Sequence, residues 1–329
     1  MKSEFELIER LKQLLPPISS QVELGIGDDA ATVHWNEKRI LTTVDSLVEG
    51  IHFDWKFCRP LEVGKKAMNA NLSDIAAMGG KPRFALIALG LPISWDQEKI
   101  EGIYRGIAEV CGEHGVDVVG GNISRNPERL WISITVLGEA GNGVLKRSGA
   151  QVGDVIFLSG TVGEAAAGLE LLRSQPERAR QLFPTLVRRY TEGHAQIELG
   201  QLLGMKPKVH SLIDVSDGLS SELWHLSKAS QVEVVVQAHQ LWVSEELQRA
   251  SAFLNQSPLQ WQLSGGEDYE LLGTCSSEAW KTLHQECESL KIPIRAIGEI
   301  ARAGAGVYLK NESGHLEPLP ASGWNHLSA

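Results

Sequence analysis

Six aspartates sit beside glycine or hydroxyl residues at widely separated points of the chain: Asp28, Asp29, Asp45, Asp74, Asp214 and Asp217. Their settings are Gly25-Ile-Gly-Asp-Asp-Ala30, Leu41-Thr-Thr-Val-Asp45, Asn71-Leu-Ser-Asp74 and Asp214-Val-Ser-Asp-Gly218. Carboxylates in such company suit hard cations such as Mg2+, which take a few oxygen ligands and leave positions for water and phosphate. If a fold gathers acids from segments so far apart, it builds a polymetal phosphate site rather than a single local metal loop.

Each motif also has a plainer reading. Gly25 to Ala30 matches G-x-G-x-x-A, but a dinucleotide site needs a strand before it and a helix after it. Here Thr32-Val-His-Trp-Asn-Glu-Lys38 reads as a strand and turn, and two adjacent aspartates repel a pyrophosphate unless metal intervenes. Asp45 ends a strand after Thr42 and Thr43 and suits metal at a sheet edge, or a turn or cap. His52 follows closely, without partners at zinc-ligand spacing. Asn71 and Asp74, three apart on a helix, share one face and are costly to bury there without partners. Val118-Val-Gly-Gly-Asn122 ends a strand in two glycines, which form a plain turn or let the backbone approach phosphate. Arg147 is a candidate for bidentate phosphate binding or an exposed loop arginine. Ser216 or Asp217 caps the helix that follows, or forms a metal-phosphate corner with its neighbours. The stretch Ser264-Gly-Gly-Glu-Asp-Tyr-Glu270 clusters acids before the apolar Leu271-Leu272, which suggests partial enclosure.

The chain lacks G-x-x-x-x-G-K-[ST], an H-R-D loop and a G-x-S-x-G elbow, so phosphoryl transfer would need another scaffold. Its formal net charge of −10 offers no basic stripe for nucleic acid, although metal ions would let an acidic protein bind phosphate. Cys58, Cys111, Cys275 and Cys287 form no CxxC pair and read as buried thiols of a reducing compartment. The acidic start, Met1-Lys-Ser-Glu-Phe-Glu-Leu-Ile-Glu-Arg10, does not read as a signal peptide. The apolar run Phe84 to Ile93 is too short for a bilayer, so a cytoplasmic protein without membrane or nucleic-acid partners is expected.

Alternating elements must position these residues. Phe5, Ile8, Leu11 and Leu15 predict a helix that Pro16-Pro17 ends. Strands follow at Arg39 to Val44, Phe84 to Leu91, Val116 to Val119 and Trp131 to Leu137, with helices over Leu61 to Ala77 and around Ile100 to Val110. A turn-rich stretch from Gly138 to Gly143 places a domain boundary between about 138 and 152. Beyond it come strands at Val155 to Ser159, Val232 to Val236, Leu271 to Thr274, Ile292 to Ile300 and Val307 to Lys310. Helices cover Gly163 to Leu172, Leu219 to Ala229, the face Trp280 to Leu290, and most of Leu182 to Leu203, broken at Pro184 and Gly193. At 329 residues there is room for two domains.

Taken in order, the motifs resemble the thiamine-monophosphate kinases of the PurM-like ATP-binding superfamily. The resemblance rests on Glu4-Phe-Glu-Leu-Ile8, Gly27-Asp-Asp-Ala30, Thr43-Val-Asp-Ser-Leu-Val-Glu-Gly-Ile-His-Phe53, Asn71-Leu-Ser-Asp-Ile-Ala-Ala-Met-Gly-Gly-Lys-Pro82, Asp214-Val-Ser-Asp-Gly-Leu219, Ser264-Gly-Gly-Glu-Asp-Tyr-Glu-Leu271 and Gly323-Trp-Asn-His326. It implies an α/β (α+β) fold of two PurM-like domains. Residues 1–145 would be a mixed-sheet ATP, metal and dimerisation domain, and 146–329 a C-terminal α/β domain. It also implies ATP-dependent phosphorylation of thiamine monophosphate to thiamine diphosphate, several Mg2+ ions and a homodimer. By position, Asp28, Thr42, Thr43, Asp45, Asp74, Asn122, Asp214 and Asp217 would hold metal, while Tyr104, Gly120, Gly121, Arg147 and Ser216 would contact ATP. His52, Glu267 or Asp268, and Trp324 would line the substrate pocket, where an aromatic face suits a cationic thiazolium. The chain departs from the family at Asn122, where the commonest form has aspartate; a neutral amide is a weaker metal ligand. The rival readings are a sister ATP-dependent enzyme on this scaffold, a nicotinamide-dependent oxidoreductase and a non-catalytic nucleotide sensor.

Overall fold

The computed structural model describes residues 4–14, 19–141 and 143–324. Leu15, Pro16, Pro17, Asn142, Asn325 and His326 lie outside the described residues, and with them the expected proline stop of the first helix. That helix, α1, covers Glu4–Leu14. The first sheet comprises β1 (Val22–Leu24), β2 (Ala31–Trp35), β3 (Lys38–Val48), β4 (Lys81–Leu91), β5 (Asp117–Arg125) and β6 (Trp131–Glu139), in the order β1-β2-β3-β6-β4-β5. Its neighbours are antiparallel except β4 and β5, which run parallel.

Helices α2 (Pro60–Ala77) and α3 (Gln97–His114) lie between these strands in sequence, and α2 packs against β3 and β6. Along β6 buried and half-buried residues alternate strictly, the period-2 signature of a sheet covered on one face. The uncovered face keeps Val44, Phe84 and Leu86 exposed. Asp96 caps α3 by accepting the Glu98 N–H at 2.8 Å.

The second sheet is formed by β7 (Asp154–Ser159), β8 (Val209–Asp214), β9 (Val232–Gln237), β10 (Leu271–Ser276), β11 (Ile294–Ala303), β12 (Gly306–Lys310) and β13 (Leu316–Pro318), ordered β13-β12-β9-β11-β7-β10-β8. Its helices are α4 (Glu164–Ser174), α5 (Pro176–Leu182), α6 (Pro184–Glu192), α7 (Ile197–Gly204), α8 (Leu219–Ser230), α9 (Glu245–Leu254), α10 (Pro258–Ser264) and α11 (Ser277–Ser289). Leu219, Leu223 and Leu226 of α8 bury against Ile213, Val234 and Leu272. A second core runs unbroken from Leu41 and Ile75 to Leu203 and Phe157, so the two sheets share packing through α2. At Gly200 of α7 an added Cβ would stand 2.3 Å from the Ala76 carbonyl oxygen, so only glycine permits this approach of α7 to α2.

The mixed α/β, two-sheet architecture matches the expected class. Several local expectations give way. The strand expected at Val116 to Val119 continues to Arg125, so Gly120 and Gly121 lie within β5 rather than in a turn after it. Helix α8 starts at Leu219 with Gly218 as its cap and no side-chain capping bond, so neither Ser216 nor Asp217 caps it. Gly25 to Ala30 links β1 to β2 without a helix, which removes the dinucleotide reading. The short β1 and β13 and the helices α9 and α10 add to the expected elements. No helix among the described residues is long and apolar enough to cross a membrane.

Candidate active site

The last two turns of α2 gather the acids. Asn71 is fully buried; its Oδ1 accepts the Asp45 N–H at 2.8 Å while its Nδ2 donates to the Ala67 carbonyl at 3.0 Å. Ser73 donates its hydroxyl to Asp214 Oδ2 at 2.6 Å, and Asp74 Oδ2 accepts the Thr43 hydroxyl at 2.5 Å. Asp29, Asp74 and Asp214 thereby each offer a carboxylate oxygen within 4.8 Å of the others. Three such groups cannot all stay ionised at no cost. Burial first, then the charges of Asp45, Asp214 and Asp29, hold the Asp74 carboxyl well above the usual range. Burial and the Asp29 charge push Asp214 up to about 7.

Asp29 Oδ2 is buried and has no hydrogen-bond partner among the described residues. A buried orphan oxygen on a residue clustered with two further carboxylates fits a hard divalent cation, whose charge would displace the protons this cluster otherwise holds. Asp29 is the ligand candidate that position-by-position resemblance passed over in favour of Asp28. Asp28 instead accepts the Arg147 N–H at 3.2 Å and the Asp29 N–H at 3.1 Å, and burial followed by the Asp29 charge raises it to about 6. The Arg147 guanidinium donates from Nε to Asp29 Oδ1 at 2.9 Å, bringing the linker after β6 onto the cluster.

The C-terminal side of the cleft is two loops laid against each other. Glu267 N–H donates to the Ser216 carbonyl at 2.7 Å and Tyr269 N–H to the Val215 carbonyl at 2.9 Å. Glu267 and Tyr269 both have left-handed backbone, with φ of 68° and 53°, which turns the intervening Asp268 away from its neighbours. Asp268 is buried and accepts the Gly163 and Ala165 N–H groups at 2.6 and 3.0 Å, at the start of α4. Of the two acids considered for the pocket, then, Asp268 is engaged in capping and Glu267 remains partly exposed. Asp217 is half-buried, and its N–H donates to Glu222 Oε1 at 3.0 Å. Trp324 is exposed and its N–H donates to the Asp217 carbonyl at 2.9 Å. The preceding Gly323 leaves no room for a side chain, since a Cβ would fall 2.2 Å from Ser221 Oγ.

His52 lies in the loop after β3, against Lys66 and Tyr190. Its Nδ1 accepts the Val48 N–H at 3.0 Å, which places the proton of the neutral ring on Nε2. Its carbonyl accepts from Lys66 Nζ at 2.9 Å and from the Tyr190 hydroxyl at 3.2 Å. Sequence reasoning missed Lys66, Ser73, Tyr190 and Glu222 as members of this region. The available signal was Lys66 itself, a charge at an apolar position of α2 between Val63 and Ala70.

Other candidates do not converge within the chain. Asn122 pairs with Ala88, Ala88 with Ser133 and Ser133 with Ser46. Asn122 is thus three strands from Ser46, about 14 Å at the usual strand spacing. It shares the row of Leu86 and Ala88 parity on the uncovered face, opposite to Thr43. Thr42 alternates with Thr43 and also turns from the acid cluster. Gly120 and Gly121 lie on the same edge strand, and Tyr104 is exposed on α3.

Residues 27–140 match the family model "AIR synthase related protein, N-terminal domain", and residues 151–310 its C-terminal-domain counterpart. The chain is 35% identical to thiamine-monophosphate kinase of Bacillus subtilis over 98% of its length and 99% of that protein's. It is 36% identical to the enzyme of the same name from Aquifex aeolicus, over 98% and 97% of the two chains. Among solved structures, one described as AaThiL complexed with AMPPCP and TMP superposes with a TM-score of 0.87 at 34% identity, covering 99% of this chain and 97% of that one. The hydrogenase maturation protein HypE, at 19% identity and a TM-score of 0.73, shares the fold alone. With relatives of this identity over nearly the whole length, and both domains matched, the chain belongs to the thiamine-monophosphate kinase family.

Proposed function

We propose that the chain transfers the γ-phosphoryl group of ATP to thiamine monophosphate, giving thiamine diphosphate and ADP. The carrying observation is the convergence of Asp29, Asp74 and Asp214, with Asp45 beside them, where the two sheets meet. A nucleotide and a phosphate monoester are both polyanions, and buried acids alone would repel them. The oxygen donor set, with Asp29 Oδ2 unsatisfied, therefore supports binding of Mg2+. When bound, Mg2+ neutralises and aligns the two phosphate groups for in-line transfer.

The chain's own residues supply position rather than a nucleophile. The acceptor's phosphate oxygen attacks, so no side chain has to form a covalent intermediate. Asp28, Thr43, Asp45, Asp74, Asp214 and Asp217 are proposed as metal-binding residues, joined by Asp29. Arg147 and Ser216 are proposed for ATP, with Gly120, Gly121 and Tyr104. His52, Glu267 and Trp324 are proposed for the thiamine moiety, and Asp268 through the loop it anchors.

We also propose a homodimer built on the uncovered face of the first sheet. Val44, Phe84 and Leu86 expose an apolar surface there that an isolated domain would seldom leave to water. Asn122, stranded about three strand spacings from Asp45 in its own chain, becomes available to a second copy docked there. The test is product formation from ATP and thiamine monophosphate, with Mg2+ and with EDTA. Mg2+-dependent ADP and thiamine diphosphate in equal amounts is the expected result; ATP binding without either product would sink the reading.

A further inference from the structure

Lys66 lies on α2, two turns before Asp74, with its side chain only 1% exposed. A buried ammonium is costly unless its donors are matched. Here Nζ stands 2.8 Å from Glu267 Oε1, 2.9 Å from the His52 carbonyl oxygen and 3.8 Å from the centroid of the Tyr190 ring. The Tyr190 hydroxyl donates to that same carbonyl at 3.2 Å. His52 belongs to the loop after β3, Glu267 to the loop before β10 and Tyr190 to α6, so one charge ties together both sides of the cleft.

We propose that Lys66 is a positioning residue for the acceptor substrate, acting through Glu267 and His52; this rests on the function proposed above. Glu267 has left-handed backbone, and its main-chain N–H is held by Ser216. Its side-chain direction is set by Lys66, while 26% of that side chain stays exposed. A partly exposed carboxylate so held is an anchor for a cationic or amino-bearing heteroaromatic ring. Eight residues along α2, about 12 Å at the helical rise, stand the acids that take the phosphate end. The helix therefore sets the distance between the two ends of an acceptor: Lys66 aims the ring anchor and Asp74 sits at the phosphate anchor. That spacing selects phosphate monoesters with such a ring at one particular reach.

The test compares kcat and KM for ATP and for thiamine monophosphate in the wild type and in Lys66→Met, Glu267→Gln, the double variant and Tyr190→Phe. Lys66→Met is expected to raise KM for thiamine monophosphate about tenfold or more and KM for ATP less than about twofold. The double variant is expected to be no worse than the more damaged single one, because both remove the same anchor. Tyr190→Phe, a milder loss on the His52 carbonyl, is expected to raise the acceptor KM by about two- to fivefold. A purely structural lysine would lower the melting temperature and depress turnover with both substrates alike. Multiplying effects in the double variant, or equal losses for ATP and acceptor, would overturn the proposal. If Lys66→Met does not fold, Tyr190→Phe decides, and an unchanged acceptor KM there overturns it. Wild-type product with unaffected variants defeats only this inference, whereas no wild-type product defeats the functional reading and this one with it.

Discussion

Ser73 donates its hydroxyl to Asp214 Oδ2 at 2.6 Å, joining a helix of the first domain to the last residue of β8 in the second. The next residue, Asp74, faces Thr43 of β3. Consecutive positions on one helix thus serve two sheets, and the acid cluster exists only while both are docked. Ser73→Ala removes the hydroxyl that favours the ionised form of Asp214. The Mg2+ concentration giving half-maximal velocity should rise several-fold, at a stability cost of about 1–2 kcal/mol. A metal titration of initial rates checks this; an unchanged midpoint would contradict it.

Asp29→Asn, Asp45→Asn and Asp74→Asn should each lower kcat by about a hundredfold or more, because in-line transfer depends on charge neutralisation at this point. Melting temperatures of the metal-free Asp45→Asn and Asp74→Asn variants at pH 8 should not fall, since each substitution relieves repulsion in the cluster. Asp29→Asn should melt lower, because it also removes the partner of the Arg147 guanidinium. Near-normal turnover at limiting Mg2+ in these variants would exclude a polymetal mechanism.

Stability without metal should decline as pH rises from about 4 to about 7. Asp214 is raised in the folded protein from 3.8 to about 7, so the folded form holds a proton that the unfolded chain has released. The contribution is full below the unfolded value and is lost as pH climbs through the folded one. At about 1.4 kcal/mol per pH unit this amounts to about 4 kcal/mol. Mg2+ should restore the loss, giving a larger gain in melting temperature at pH 8 than at pH 5. Equal gains at the two pH values would rule this linkage out.

Gly323→Ala places a methyl where Ser221 Oγ would be 2.2 Å away and the Asp217 carbonyl oxygen 2.5 Å away. The tail must shift, and Trp324 with it. KM for thiamine monophosphate should rise about three- to tenfold with the KM for ATP little changed. Steady-state kinetics with each substrate varied separately will show whether the tail shapes the acceptor pocket.

Leu86→Glu and Phe84→Glu put charge on the uncovered face of the first sheet, where the native side chains are 39% and 45% exposed. Light scattering during gel filtration should give twice the chain mass for the wild type and the chain mass for the variants. Activity should fall with the dimer while circular dichroism stays unchanged. A wild-type monomer with full activity would remove the dimer from the proposal.

Much of the fold was legible because its signals are local. The helix over Leu61 to Ala77, the β-branched run of β3 and the apolar spacing Ile100, Ile103, Ile107 and Val110 of α3 depend on residues a few positions apart. The length of β5 was not legible. Its glycines look like a strand end, yet pairing with β4 carries the strand through them to Arg125. The capping role of Asp268 was equally hidden, because the N–H groups it satisfies belong to Gly163 and Ala165, about a hundred residues earlier.

By itself the sequence determined the chemistry on offer: oxygen ligands for hard cations, a family resemblance across nearly the whole chain, and two α/β units to carry them. Tertiary structure alone decided which of those ligands meet. Asp28 and Asp29 are equivalent on paper, but Asp28 accepts the Arg147 main-chain N–H, while Asp29 takes the Arg147 guanidinium on one oxygen and joins Asp74 and Asp214 in the cluster. Asn122 and Thr43 are both short polar strand residues, but pleat and register set them on opposite faces. A side chain's chemistry is a property of one residue, while its direction and neighbours follow from strand register and from how two domains pack.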